Sequence, residues 1–140
     1  MTIRFFLFVC LIFTLNSVHA QKVKLKKDIV YVDGEATFSY AKKTQGTELV
    51  IYALNTKDEL LTAIFYPGNK EIRDDNYYKI VFTSENKSLE YTRAYWGKSL
   101  IKWLLEQEVL NAESGINSEK IDGFISKYDE KVLERRMILR

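Results

Sequence analysis

The sequence predicts an α+β domain: an antiparallel β-sheet of about five to seven strands, followed by two C-terminal helices packed on one face. Three observations carry this. Between Lys22 and Thr92 the apolar residues either alternate with polar ones or form short two-sided runs, as strands do. Short turns separate these runs, so neighbours in sequence are expected to pair antiparallel. From about Ala94 the apolar spacing shifts to 3.6 residues. Strands first and helices last is the order of an α+β domain.

The first twenty residues concern export. Arg4 gives a positive start, Phe5 to Leu15 (FFLFVCLIFTL) is apolar, and Asn16 to Ala20 is a polar exit with small residues near its end. This is the pattern of a cleaved signal peptide over 1–20, with the cut expected between Ala20 and Gln21. As a helix the apolar run would rise only about 16 Å, half of a hydrocarbon core, so an uncleaved anchor is not expected. Cys10 sits mid-run rather than just after it, which argues against a lipid anchor. Residues 21–140 are then a single α+β domain with no integral membrane span, in the periplasm or secreted.

Lys22 to Lys27 alternates Val23 and Leu25 with lysines, as an edge strand guarded by charge would. Ile29 to Val32 and Glu35 to Lys42 flank Asp33-Gly34, a dipeptide suited to the positive φ of a tight hairpin turn. Thr47 to Leu54 and Glu59 to Tyr66 are apolar on both faces and suit central strands. Tyr77 to Ser84 and a short Leu89 to Thr92 complete the sheet. A helix is expected from about Ala94 to Asn111, with Trp96, Leu100, Trp103, Leu104 and Leu110 on one side and Lys98, Lys102 and Glu106 on the other. After Gly115, Asn117 or Ser118 can cap a second helix carrying Ile121, Phe124, Ile125, Tyr128 and Val132. Beneath the helices, Phe38, Leu49, Ile51, Ile64, Ile80 and Phe82 are the expected sheet core. The basic and apolar Arg135–Arg140 tail follows no pattern that places it.

Composition excludes several functions. Cys10 and His19 are the only Cys and His, and both leave with the signal. The mature chain then has no disulfide, no His or Cys metal site, no Ser-His-Asp triad and no thiolate nucleophile. Losing Arg4 from 21 basic residues leaves 20 against 19 acids, a balance that argues against a nucleic-acid partner.

QKVKLKKDIVYVDGE at Gln21 to Glu35, and NSEKIDGFISKYDEK at Asn117 to Lys131 after a Trp-containing helix, resemble a group of small, uncharacterised exported proteins of Bacteroidota-type bacteria. The resemblance implies a bacterial periplasmic or secreted location and carries no activity or site residue. The expected function is a non-enzymatic binding or scaffold domain of the envelope, with a protein or glycan partner. The alternative is a small carboxylate-dependent hydrolase acting on glycan or envelope polymer.

No catalytic, cofactor-binding or metal residue is assigned, and no cofactor is expected. Glu71, Asp74, Asp75 and Asn76 lack the ligand spacing of a calcium loop, so a solvated loop is the better reading. Tyr31, Tyr40, Tyr52, Tyr66, Tyr77, Tyr78, Tyr91 and Tyr95 suit half-buried strand positions more simply than a glycan surface. Trp96 and Trp103 are expected in the core. Lys98, Lys102 and the tail arginines are diluted by Glu106, Glu108 and Glu134, and are expected to be a solvated face. Asn86-Lys87-Ser88 fits a glycosylation sequon, which matters only in a eukaryotic secretory pathway.

Overall fold

A computed structural model describes residues 21–68 and 75–139. The expected signal segment therefore lies outside the described residues, as do Glu71 and Asp74. Seven strands form one antiparallel meander in strict sequence order: β1 (Val23–Lys26), β2 (Ile29–Val32), β3 (Glu35–Lys43), β4 (Glu48–Ala53), β5 (Glu59–Tyr66), β6 (Tyr77–Phe82) and β7 (Lys87–Tyr91). Helix α1 (Lys98–Glu106) follows, then a two-residue ribbon of β8 (Leu110–Asn111) and β9 (Gly115–Ile116), then α2 (Ser118–Tyr128) and α3 (Val132–Ile138). This is the predicted α+β order.

The Asp33-Gly34 turn has positive φ at both residues, 50° and 84°, as the hairpin requires. The β1–β2 turn is built the same way by Lys27 and Asp28, at 50° and 66°, without a glycine. Alternation divides the sheet. Ile51 pairs with Leu61 and Leu61 with Phe82, while Leu49 pairs with Ala63 and Ala63 with Ile80. All six of these residues are fully buried under the helices, together with Phe38, Leu89, Leu100, Ile101 and Leu104.

Ile64 is a correction to the expected core. It pairs with Glu48 and Lys79 on the outer face and is only half-buried. A strand apolar on both sides does not reveal which parity faces the helices, and the register chose Leu61 and Ala63.

The first helix is also shorter than expected. Gly97, at φ 58° and ψ −123°, holds a conformation that side chains strongly disfavour, so Arg93 to Trp96 stay outside the helix. Ser99 Oγ accepts from the Trp96 amide and donates to the Trp96 carbonyl, tying down that entry. At the other end Glu108 turns left-handed at φ 59°. Its amide donates to Leu105 O and the Val109 amide to Leu104 O, the paired bonds of a Schellman stop. Leu110 therefore joins β8 rather than the helix.

The second expected helix is interrupted at Asp129–Lys131, and Val132 begins the separate short α3. That interruption finishes the sheet, because β7 pairs only with β6 and would otherwise leave an open edge. The Glu130 amide donates to Glu90 O at 2.8 Å, and the Glu90 amide donates to Asp129 Oδ1 at 3.0 Å. The Thr92 amide and hydroxyl both donate to the Glu130 carboxylate. Helix α3 then places Arg136 over the Tyr77 ring, with an ion pair to Asp75 at 2.6 Å.

Gly123 stands in the middle of α2, and a Cβ there would meet nothing within 4 Å. Gly123→Ala should therefore stabilise the protein by about 0.5–1 kcal/mol, the usual helix-propensity difference. Denaturant unfolding checks it, and a loss of stability would show that packing demands this glycine.

Candidate functional site

The sites considered from sequence separate clearly. Asp75 is committed to Arg136, and Asn76 Oδ1 accepts from the Gly68 amide at 2.7 Å, so both serve the fold. Asn86 lies exposed in the β6–β7 turn with φ 50°. Arg135 is within 3.9 Å of Glu130, which spreads the tail's charge into local ion pairs. Among the described residues no group of three or more His, Cys, Asp or Glu could hold a metal ion. No described helix is long and apolar enough to cross a membrane.

The tyrosines fall mainly into packing. Phe65, Tyr78, Tyr91, Trp103, Phe124 and Tyr128 form a run of ring contacts, each step between 4.9 and 5.3 Å. Trp96 joins this run from outside α1, tilted against Phe65 and Tyr78. Tyr91 is nearly inaccessible at 1 % exposure, and its hydroxyl donates to Tyr95 O at 2.9 Å.

Burial pushes the Tyr91 hydroxyl well above the ordinary tyrosine value, with Tyr78 adding to the effect. The folded state then binds this proton more tightly than the unfolded chain does. The resulting stability is complete below about pH 10 and is lost as pH rises past that value and the unfolded chain begins to ionise. Phenolate absorbance should show Tyr91 as the last tyrosine to titrate, coincident with loss of the far-ultraviolet dichroism. Ionisation of every tyrosine in a still-folded protein would contradict this.

The structure brings together two sets of lysines that are far apart in sequence. A groove of about 860 Å³ lies beside β1, lined by Lys22, Lys24, Lys26 and Tyr31 from the first hairpin and by Lys98 and Lys102 from α1. Alternation explains the first set, since Val23 turns into the core while the lysines on either side of it stay exposed. The second set lies on the exposed face of α1, opposite Leu100, Trp103 and Leu104. What joins them is the packing of α1 back onto β1, which brings Leu25 to the backbone at Gly97. Among the described residues none of these five lysines forms an ion pair, and no carboxylate lines the groove. Asp28 follows Lys26 by two residues in the β1–β2 turn, and Asp33 Oδ1 accepts from the Lys22 amide at 2.8 Å; neither lines the groove.

No protein-family model, curated protein or solved structure matches this chain. The functional reading therefore rests on the groove's own chemistry. Sequence reasoning named all five lysines and separated them into an edge guard and a solvated helix face. The missing signal was the return of the chain from β7 to β1, which no local pattern encodes.

Proposed function

We propose that the protein is an exported, non-enzymatic binding domain of the bacterial envelope, and that its lysine groove takes an anionic polysaccharide. The observation that carries this is the convergence of Lys22, Lys24, Lys26, Lys98 and Lys102 on one groove with no carboxylate among its described lining residues. Edge protection accounts for lysines on β1, but not for two more on α1 that face the same space. In a chain of nearly balanced charge, such segregation creates a local positive field that draws a negative partner.

Spacing favours a polymer over a single small anion. Alternate residues of a strand stand about 7 Å apart, and residues four apart on a helix about 6 Å. The lysines thus present two rows of repeated charge, suited to a chain with repeated carboxylate or phosphate groups. Tyr31 adds an aromatic face that can rest against a sugar ring. The carboxylate-hydrolase alternative draws no support from this groove, whose described lining residues offer no acid–base pair.

Binding of the purified protein to polygalacturonate tests the reading, with anionic-lipid vesicles and duplex DNA as comparisons. The polysaccharide should bind with an affinity that falls as salt rises. Lys24→Glu, Lys98→Glu and Lys102→Glu combined should abolish it, while each exposed substitution changes stability by only about 0.5 kcal/mol. Equal binding by the triple variant, or preference for DNA or vesicles, would contradict it. Turnover of a glycan or ester that one carboxylate substitution removes from a folded protein would replace it with the hydrolase.

A further inference from the structure

Gln21 lines the lysine groove together with the lysines of the first hairpin and of α1. It is half-buried, and the residue after it fixes its position. The Lys22 amide donates to Asp33 Oδ1 at 2.8 Å, and the Asp33 amide donates back to Lys22 O at 2.8 Å. Val23 then pairs with Val32 and enters the core at 3 % exposure. The backbone nitrogen of Gln21 is thus held at the end of the row Lys26, Lys24, Lys22, one residue or about 3.3 Å of strand beyond the last lysine.

The cut expected from the sequence falls between Ala20 and Gln21. Hydrolysis of that peptide bond by a signal peptidase consumes one water and leaves a carboxylate on Ala20 and an ammonium on Gln21. The carboxylate departs with the signal, while the ammonium stays on a residue of the groove. In the uncut chain the same nitrogen is an uncharged amide with one N–H. After the cut it is a cation with three, as a lysine ammonium is. Asp33 and Glu35 are the acids at the adjoining β2–β3 turn, and neither is among the described lining residues.

We infer that the processed N-terminus at Gln21 is a further cation of the groove, added to its five lysines, and binds the same anionic polysaccharide. This rests on the reading of the protein as an exported, polysaccharide-binding domain. Signal cleavage then raises the charge of the site as well as releasing the chain, because it extends the lysine row by one positive group. A terminal amine ordinarily titrates at about 7.7–8.0, so its contribution to binding is present below that range and lost above it.

The experiment uses the protein recovered after export, whose intact mass should begin at Gln21 with a free amine. Glutaminyl cyclase converts a portion of it: the α-amino nitrogen attacks the side-chain carboxamide carbon, ammonia leaves, and the neutral lactam keeps every lysine. Affinity for polygalacturonate is then measured for both forms at low salt, between about pH 6.5 and about pH 9, the interval in which a terminal amine titrates. At the acid end the free form should bind about two- to fivefold more tightly, the worth of one exposed ion pair. At the alkaline end the two should converge. Gln21→Ala cannot cyclise, so cyclase treatment should leave its pH dependence in place. Equal affinity of the two forms at the acid end, or a difference that persists undiminished at the alkaline end, would overturn the inference. So would an exported chain that begins elsewhere or arrives already cyclised. Equal binding by both forms leaves the lysine groove standing and removes only the terminus, whereas no binding by either removes both.

Discussion

Replacing Trp103 with alanine is expected to cost about 3–5 kcal/mol, the range for truncating a buried large aromatic side chain. The ring is 5 % exposed and touches Tyr91 and Tyr95 on the sheet side, and Phe124 and Tyr128 on α2. It is therefore the side chain through which β7, α1 and α2 meet. The loss is a large share of the roughly 5–15 kcal/mol by which domains are stable. The exposed Lys98 sits five residues earlier on the same helix. Lys98→Ala should change stability by well under 1 kcal/mol. Denaturant unfolding of both variants decides the matter, and equal midpoints would mean that α1 does not pack as described.

Phe82→Ala should be comparably severe, at about 3–5 kcal/mol. Phe82 is fully buried on the helix-facing side, paired with Leu61 across the ladder and edge-on to Phe124 at 6.3 Å. Ile64→Ala makes the contrast, because it removes a half-buried side chain from the opposite face. Its cost should fall below the range of about 2–5 kcal/mol typical of buried isoleucine truncation. Unfolding measurements that rank Ile64 above Phe82 would reverse the assignment of faces.

That pair also shows what the sequence made legible. Phe82 was identifiable as core because its strand pairs apolar residues at alternate positions, whereas Glu59 to Tyr66 is apolar on both sides, and Ile64 was expected in the core where the structure places Leu61. The Asp33-Gly34 hairpin was legible because positive φ selects residues. The Lys27-Asp28 turn and the Glu108 helix stop were not, since their left-handed residues carry side chains that the surrounding hydrogen bonds hold in place. Val132 continued the helical spacing of α2, yet the backbone breaks at Asp129–Lys131 to cover the β7 edge. That break answers to a strand some forty residues earlier, a demand that no local window contains.

The candidate sites follow the same division. Lys22, Lys24 and Lys26, and separately Lys98 and Lys102, were each visible as an exposed face. Their convergence depends on tertiary packing. A groove of like charges with no ion-pair partner among the described residues is also a feature that folding does not reward. Its lysines should thus be replaceable without loss of stability, as a surface kept for binding would be.

Whether the lysine groove binds an anionic polysaccharide is decided by an amide-resolved NMR titration of the purified protein with a polygalacturonate fragment at low and at high salt. The dominant shifts at low salt should fall on Lys22 to Lys26, Tyr31, Lys98 and Lys102, and fade as salt is added. Dominant shifts elsewhere, or no shifts at low salt, would contradict the assignment of the groove as the binding site.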